Sequence, residues 1–97
     1  MSTKMETVLR AAAFAAEKHR HQRRKDVEAS PYINHPIQVA YILVQADIED
    51  PVVLAAGLLH DTIEDTNTTL EELQIVFGYE IANIVAECTD DKALHKL

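Results

Sequence analysis

The chain has 97 residues, nine Lys plus Arg against sixteen Asp plus Glu, and a formal net charge of −7 at pH 7. That length holds at most one small domain, hydrophobic residues at 47% are ample for a core, and only two glycines and three prolines argue against an all-β or disordered chain. The acidic balance speaks against DNA or general nucleic-acid binding, and the absence of a signal peptide, a lipidation motif or an apolar run of about 18 residues makes a cytoplasmic protein the expectation.

Alanine and leucine dominate the apolar set, which favours helix throughout. The spacing of Met5, Val8, Leu9, Ala12, Ala13 and Ala16 predicts a first helix from about Thr3 to about Arg23, with His19 continuing its inward stripe. It ends in a dense basic segment, since five of the nine cations (Lys18, Arg20, Arg23, Arg24 and Lys25) fall within eight positions. An acidic chain with one such segment can read a compact anion such as a phosphate ester, although cations also favour a helix C-terminus. A polar loop follows, and Pro36 should keep His35 out of the helical region, in a tight Asn-His-Pro loop. Pro36 then opens a second helix with Ile37, Ala40, Tyr41 and Val44 facing inward.

Asp50-Pro51 reads as an N-cap followed by proline in the first helical position. The third helix, Pro51 to about Asp61, is apolar nearly all round and should be the central buried one. Thr68-x-x-Glu71 is a capping box for a fourth helix with Leu70, Leu73, Val76 and Phe77 inward, and Gly78 suits its C-terminal end. A fifth helix from Tyr79 should bury Ile81, Ile84, Val85 and Cys88, the lone cysteine being read as a small core residue. The final residues carry no terminating signal, so an all-α bundle of about five helices, truncated at its C-terminus, is expected.

The chemistry concentrates in Leu58-Leu59-His60-Asp61-Thr62-Ile63-Glu64-Asp65. On a continuous helix His60 would share a face with Glu64, and Asp61 with Asp65. An imidazole and a carboxylate beside it are ligands that borderline divalent metals prefer. Joined by His35, they form a two-histidine, one-carboxylate set with positions left for water and substrate, suited to manganese, iron, cobalt or zinc. Glu64 and Asp65 could orient an activated water or shuttle its proton, and Arg23, Arg24 and Lys25 could bind phosphate oxygens. His19, His21 and His95 have no partner at useful spacing and read as surface or structural.

Arg23-Arg24-Lys25-Asp26, Pro31-Tyr32-Ile33-Asn34-His35-Pro36, Leu58 through Asp65, and Thr89-Asp90-Asp91-Lys92 together resemble the N-terminal half of HD-domain hydrolases of the RelA/SpoT type, with the small stand-alone metazoan SpoT homologues nearest. The resemblance covers the whole chain, residues 1–97, as a single partial HD domain. It implies a Mn²⁺-dependent hydrolase that removes pyrophosphate from the 3′ position of guanosine 3′,5′-bis(diphosphate), ppGpp. It further implies His35, His60 and Asp61 as metal ligands, and Glu64 and Asp65 as the acidic pair that handles the attacking water. Arg24 and Lys25, with Tyr32 and Asn34 of the intervening loop, would form the nucleotide site. The family places a further aspartate ligand beyond residue 97, and Asp90 and Asp91 match a different segment. Hydrolysis of another ribose-phosphorylated nucleotide such as NADPH, or a nucleotide-binding regulatory fragment, are the alternatives. Apolar helix faces left by the absent half should be exposed and favour self-association.

Overall fold

Thr3 opens the first helix by accepting a hydrogen bond from the Glu6 amide at 3.0 Å, a side-chain cap for an otherwise unpaired donor. Helix α1 then runs over Lys4–Lys18. In the computed structural model, which describes residues 3–25 and 27–95 (backbone alone for 89–95), five more helices follow. They are α2 (Asn34–Gln45), α3 (Pro51–Leu59), the single turn α4 (Thr62–Asp65), α5 (Leu70–Phe77) and α6 (Tyr79–His95). Among the described residues the nearest thing to β-structure is one isolated antiparallel bridge between Arg23 and Pro31. The fold is all-α, as composition and periodicity indicate.

Helix α3 is the centre of the core. Asp50 caps it by accepting from the Val52 amide at 2.9 Å, Pro51 occupies the first turn, and Leu54, Ala55, Ala56, Leu58 and Leu59 are all buried. Helices α1, α2 and α6 each pack on it. Close approach depends on small residues: α1 contributes the fully buried Ala11 and Ala15, and a Cβ on Gly57 would lie 3.2 Å from Leu43 Cδ1 on α2. Helix α5 is tied to α1 by the Phe14–Phe77 edge-to-face pair at 5.3 Å and by Lys18, which reaches Glu72 at 3.1 Å. Gly78 ends α5 with φ +90°, a conformation that suits glycine, and α6 begins at the next residue.

Several boundaries differ from the sequence expectation. Helix α1 stops at Lys18, not near Arg23, because the backbone beyond it bonds elsewhere: the Tyr32 amide donates to Gln22 O at 3.0 Å and the Arg24 amide to Ser30 O at 2.9 Å. These long-range bonds draw the basic segment against residues 30–32. The inward stripe of α1 is the buried Ala11, Ala15 and His19 with the partly buried Val8 and Ala12, while Met5 and Leu9 stay 73% and 61% exposed and Ala13 and Ala16 face solvent. Helix α2 starts at Asn34, so His35 sits in its first turn. The Asn34 and His35 amides bond to Pro31 O and Tyr32 O, and Pro36 is tolerated there because a first-turn amide has no helical partner to lose.

Ile37, Tyr41 and Val44 of α2 remain about half exposed, at 48%, 56% and 46%. With Ala40, Val8 and Leu58 they border a wholly apolar groove of about 310 Å³. The α5 cap is Thr69, accepting from Glu72 N at 3.1 Å, while Thr68 is buried and its hydroxyl pairs with Thr66 at 2.6 Å. Cys88 is exposed rather than in the core, since the buried positions described on α6, Ile81, Ala82 and Val85, all lie in its first two turns. Asp26, and the side chains of Thr89 to Lys92, lie outside the described residues. No helix among the described residues is long and apolar enough to cross a membrane.

The corrected register of α1 has a stability signature. Leu73→Ala, which empties a fully buried site, should cost about 2–5 kcal/mol in urea denaturation. Leu9→Ala should stay within about 0.5 kcal/mol, whereas an inward-facing Leu9 would produce a loss comparable with that of Leu73.

Candidate metal centre

The chain breaks its helical path at the point where the ligand candidates occur. Helix α3 ends at Leu59, His60 is its C-cap, and Asp61 leaves the helical region at φ −100° and ψ 0°. Two hydrogen bonds hold the break: the Thr62 hydroxyl donates to Leu59 O at 2.8 Å, and the Asp65 amide donates to Asp61 O at 2.9 Å. The four-residue stacking expected of a continuous helix is therefore replaced by a sharper arrangement. His60 Nε2 and Asp61 Oδ2, on adjacent residues, come within 3.0 Å of each other.

His60 Nδ1 lies 2.6 Å from Gly57 O. A carbonyl only accepts, so Nδ1 carries the proton and Nε2 offers its lone pair to the side where Asp61 sits. His35 approaches from the first turn of α2, with Nε2 3.8 Å from Asp61 Oδ2 and its ring 5.4 Å from that of His60. One ligand atom from each of His35, His60 and Asp61 lies within 4.8 Å of the others. These residues fit a divalent ion: donors held about 2.0–2.2 Å from one metal stand roughly 3 Å apart, and imidazole and carboxylate are donors that such an ion prefers.

Asp61 is only 1% exposed, and a carboxylate so placed must be hydrogen-bonded or paired. Tyr32 meets part of that need by donating its hydroxyl to Asp61 Oδ2 at 2.5 Å. Burial first, then the hydrogen bond to Asp61 and the negative charge of Asp61 and Asp65, push the Tyr32 hydroxyl far above its ordinary value. It therefore stays a neutral donor at any physiological pH.

A cavity of about 370 Å³ opens beside these groups, lined by Gln22, Arg23, Arg24, Lys25, Tyr32, His35, Asp61 and Asp65. The structure thus brings Arg24, Lys25, Tyr32, His35, Asp61 and Asp65 around one space. His60 reaches Asp61 but is not among the lining residues. Glu64 and Asn34 are exposed and are not among the lining residues of this cavity. Of the remaining histidines, His21 is exposed and His19 is 2% exposed; the His95 side chain lies outside the described residues. Two features are not evident from sequence: Gln22, which no motif marks, lines the cavity, and Tyr32 directly restrains a ligand candidate.

The sequence matches the HD domain family over residues 11–97. It is 58% identical over 98 aligned residues to proteins of Xenopus tropicalis and Homo sapiens named guanosine-3′,5′-bis(diphosphate) 3′-pyrophosphohydrolase MESH1, covering all of this chain and 55% of theirs. A bacterial protein of Aquifex aeolicus with the same enzyme name is 46% identical over 87% of this chain and 12% of its own. A solved structure described as a metazoan ortholog of SpoT that hydrolyzes ppGpp and plays a role in starvation responses superposes with TM-score 0.84 at 46% identity, over 90% of this chain and 49% of that one. The chain thus spans about half the length of the curated MESH1 relatives. With the match running through α1 to α6 and the paired histidine and aspartate at the end of α3, this chain belongs to the HD domain family.

Proposed function

We propose that this domain acts in the hydrolysis of guanosine 3′,5′-bis(diphosphate) at its 3′ position, releasing pyrophosphate and leaving GDP, with Mn²⁺ as the metal. The observation that carries this reading is the meeting of His35, Asp61, Asp65, Arg24 and Lys25 on one cavity. In this reading His35, His60 and Asp61 hold the metal, and Tyr32 fixes the orientation of Asp61 by its hydrogen bond. When bound, the ion supplies Lewis acidity and makes water a better nucleophile near neutral pH.

The chain's own groups perform the remainder. Arg24 and Lys25 neutralise the diphosphate and align it, Arg24 being able to engage two oxygens at once. Asp65, at the cavity edge, and Glu64 beside it take the proton of the attacking water and pass it to the departing 3′ oxygen. Water adds its oxygen to the 3′-attached phosphorus, the bond from that phosphorus to the ribose oxygen breaks, and the proton ends on the ribose hydroxyl. Asn34, exposed in the first turn of α2 beside His35, meets the nucleotide outside the cavity. The printed names of the MESH1 relatives and of the SpoT ortholog support the substrate assignment. A cytoplasmic setting goes with a soluble nucleotide substrate.

The half-exposed Ile37, Tyr41 and Val44 with their apolar groove support self-association of this chain, because contiguous apolar surface tends to be covered. Light scattering should show a concentration-dependent species above monomer mass that Tyr41→Asp abolishes; a clean monomer at all concentrations removes this part of the proposal.

Pyrophosphate release from ppGpp in Mn²⁺ should fall about 10²–10⁴-fold in Asp65→Asn and Glu64→Gln and cease on chelation. Lys25→Ala should mainly raise KM, most at low ionic strength and less as salt screens the charge that the lysine supplies. Binding of ppGpp with no turnover would favour the regulatory fragment over the hydrolase.

A further inference from the structure

His19 is the least expected residue of the core. It caps α1, is 2% exposed, and has a buried Nε2 without a hydrogen-bond partner. Its other nitrogen, Nδ1, lies 2.7 Å from Gln22 Oε1. A carboxamide oxygen only accepts, so Nδ1 donates and the ring orientation is set by Gln22. The His19 ring lies against Tyr32, centroids 4.8 Å apart and planes 34° from parallel. Gln22 also grips the Tyr32 backbone, its carbonyl accepting the Tyr32 amide at 3.0 Å. Both the ring and the main chain of Tyr32 are thus referred to one small unit at the end of α1.

We propose that His19, locked by Gln22, is a positioning residue for the metal centre: it sets the Tyr32 ring so that the hydroxyl holds Asp61 in its ligating orientation. The inference rests on the metal reading given above, and extends the site to α1, which carries none of the ligand candidates. A purely structural residue at this place would do better as an apolar ring of similar shape, since that would leave no buried nitrogen without a partner. Histidine adds a directional bond to Gln22, and the ring it orients is the one that restrains Asp61. Partners that orient a ligand from outside the coordination shell are typically worth about 10–100-fold in metal affinity.

The test is a double-mutant cycle on the whole chain, read by Mn²⁺ affinity in calorimetry. His19→Phe and Tyr32→Phe should each weaken Mn²⁺ binding about 10-fold. Their combination should be no weaker than Tyr32→Phe alone, because His19 acts only through the hydroxyl that the second change removes. Gln22→Met, which deletes the acceptor and leaves the histidine in place, should reproduce the loss and serves if His19→Phe does not fold. Wild-type affinity in both His19→Phe and Gln22→Met, or losses that multiply in the double variant, would overturn the proposal. If the wild-type chain takes up no Mn²⁺, the metal reading fails, and the coupling is decided without metal by the Asp61 carboxyl ¹³C resonance. That resonance should move alike in His19→Phe and Tyr32→Phe, and an unmoved signal in His19→Phe overturns the coupling.

Discussion

A carboxylate buried beside two imidazoles is the constraint around which the site is arranged. Asp61 at 1% exposure would be strongly disfavoured as an anion without compensation. Tyr32 supplies one hydrogen bond, and His60 and His35 face the same oxygen at 3.0 Å and 3.8 Å. The Gly57 carbonyl accepts a hydrogen bond from His60 Nδ1, so in the neutral ring the facing nitrogen offers a lone pair. With both imidazoles neutral, the three donor atoms together suit a divalent ion.

The fold supplies that geometry with little strain. Helix α3 is apolar on nearly every side and α1, α2 and α6 cover it, so its end is held by close packing. Gly57 performs two tasks there. Its missing side chain lets α2 approach, bringing His35 to the site, and its carbonyl fixes His60. The backbone bridge between Arg23 and Pro31 then carries the basic segment to the mouth of the same cavity, which a longer α1 would have directed away.

Much of this was legible in residues whose effect is local. Asp50-Pro51 and Gly78 announce helix ends through capping and φ preference, and His60-Asp61 after an apolar run marks a candidate ligand pair at the edge of a core. What was not legible depends on contacts distant in sequence. The alanines between residues 11 and 16 give no contrast with which to phase α1, so its register was misplaced toward Met5 and Leu9. Thr68 and Thr69, followed by Glu71 and Glu72, offer the same capping spacing twice, and only packing selects the second. The end of α1 is decided by hydrogen bonds from residues 30–32, and His19 became informative only once Tyr32 lay against it. Cys88 shows the reverse: the helical stripe of α6 continues past the buried Ile81, Ala82 and Val85 to a cysteine that is exposed.

The account is tested most directly by diffraction from crystals soaked in Mn²⁺, with anomalous differences collected at the manganese edge. It requires one peak within coordinating distance of donor atoms of His35, His60 and Asp61 together, with the Tyr32 hydroxyl still on Asp61. Manganese bound elsewhere on the chain, or these three side chains ordered with no peak between them, would contradict it.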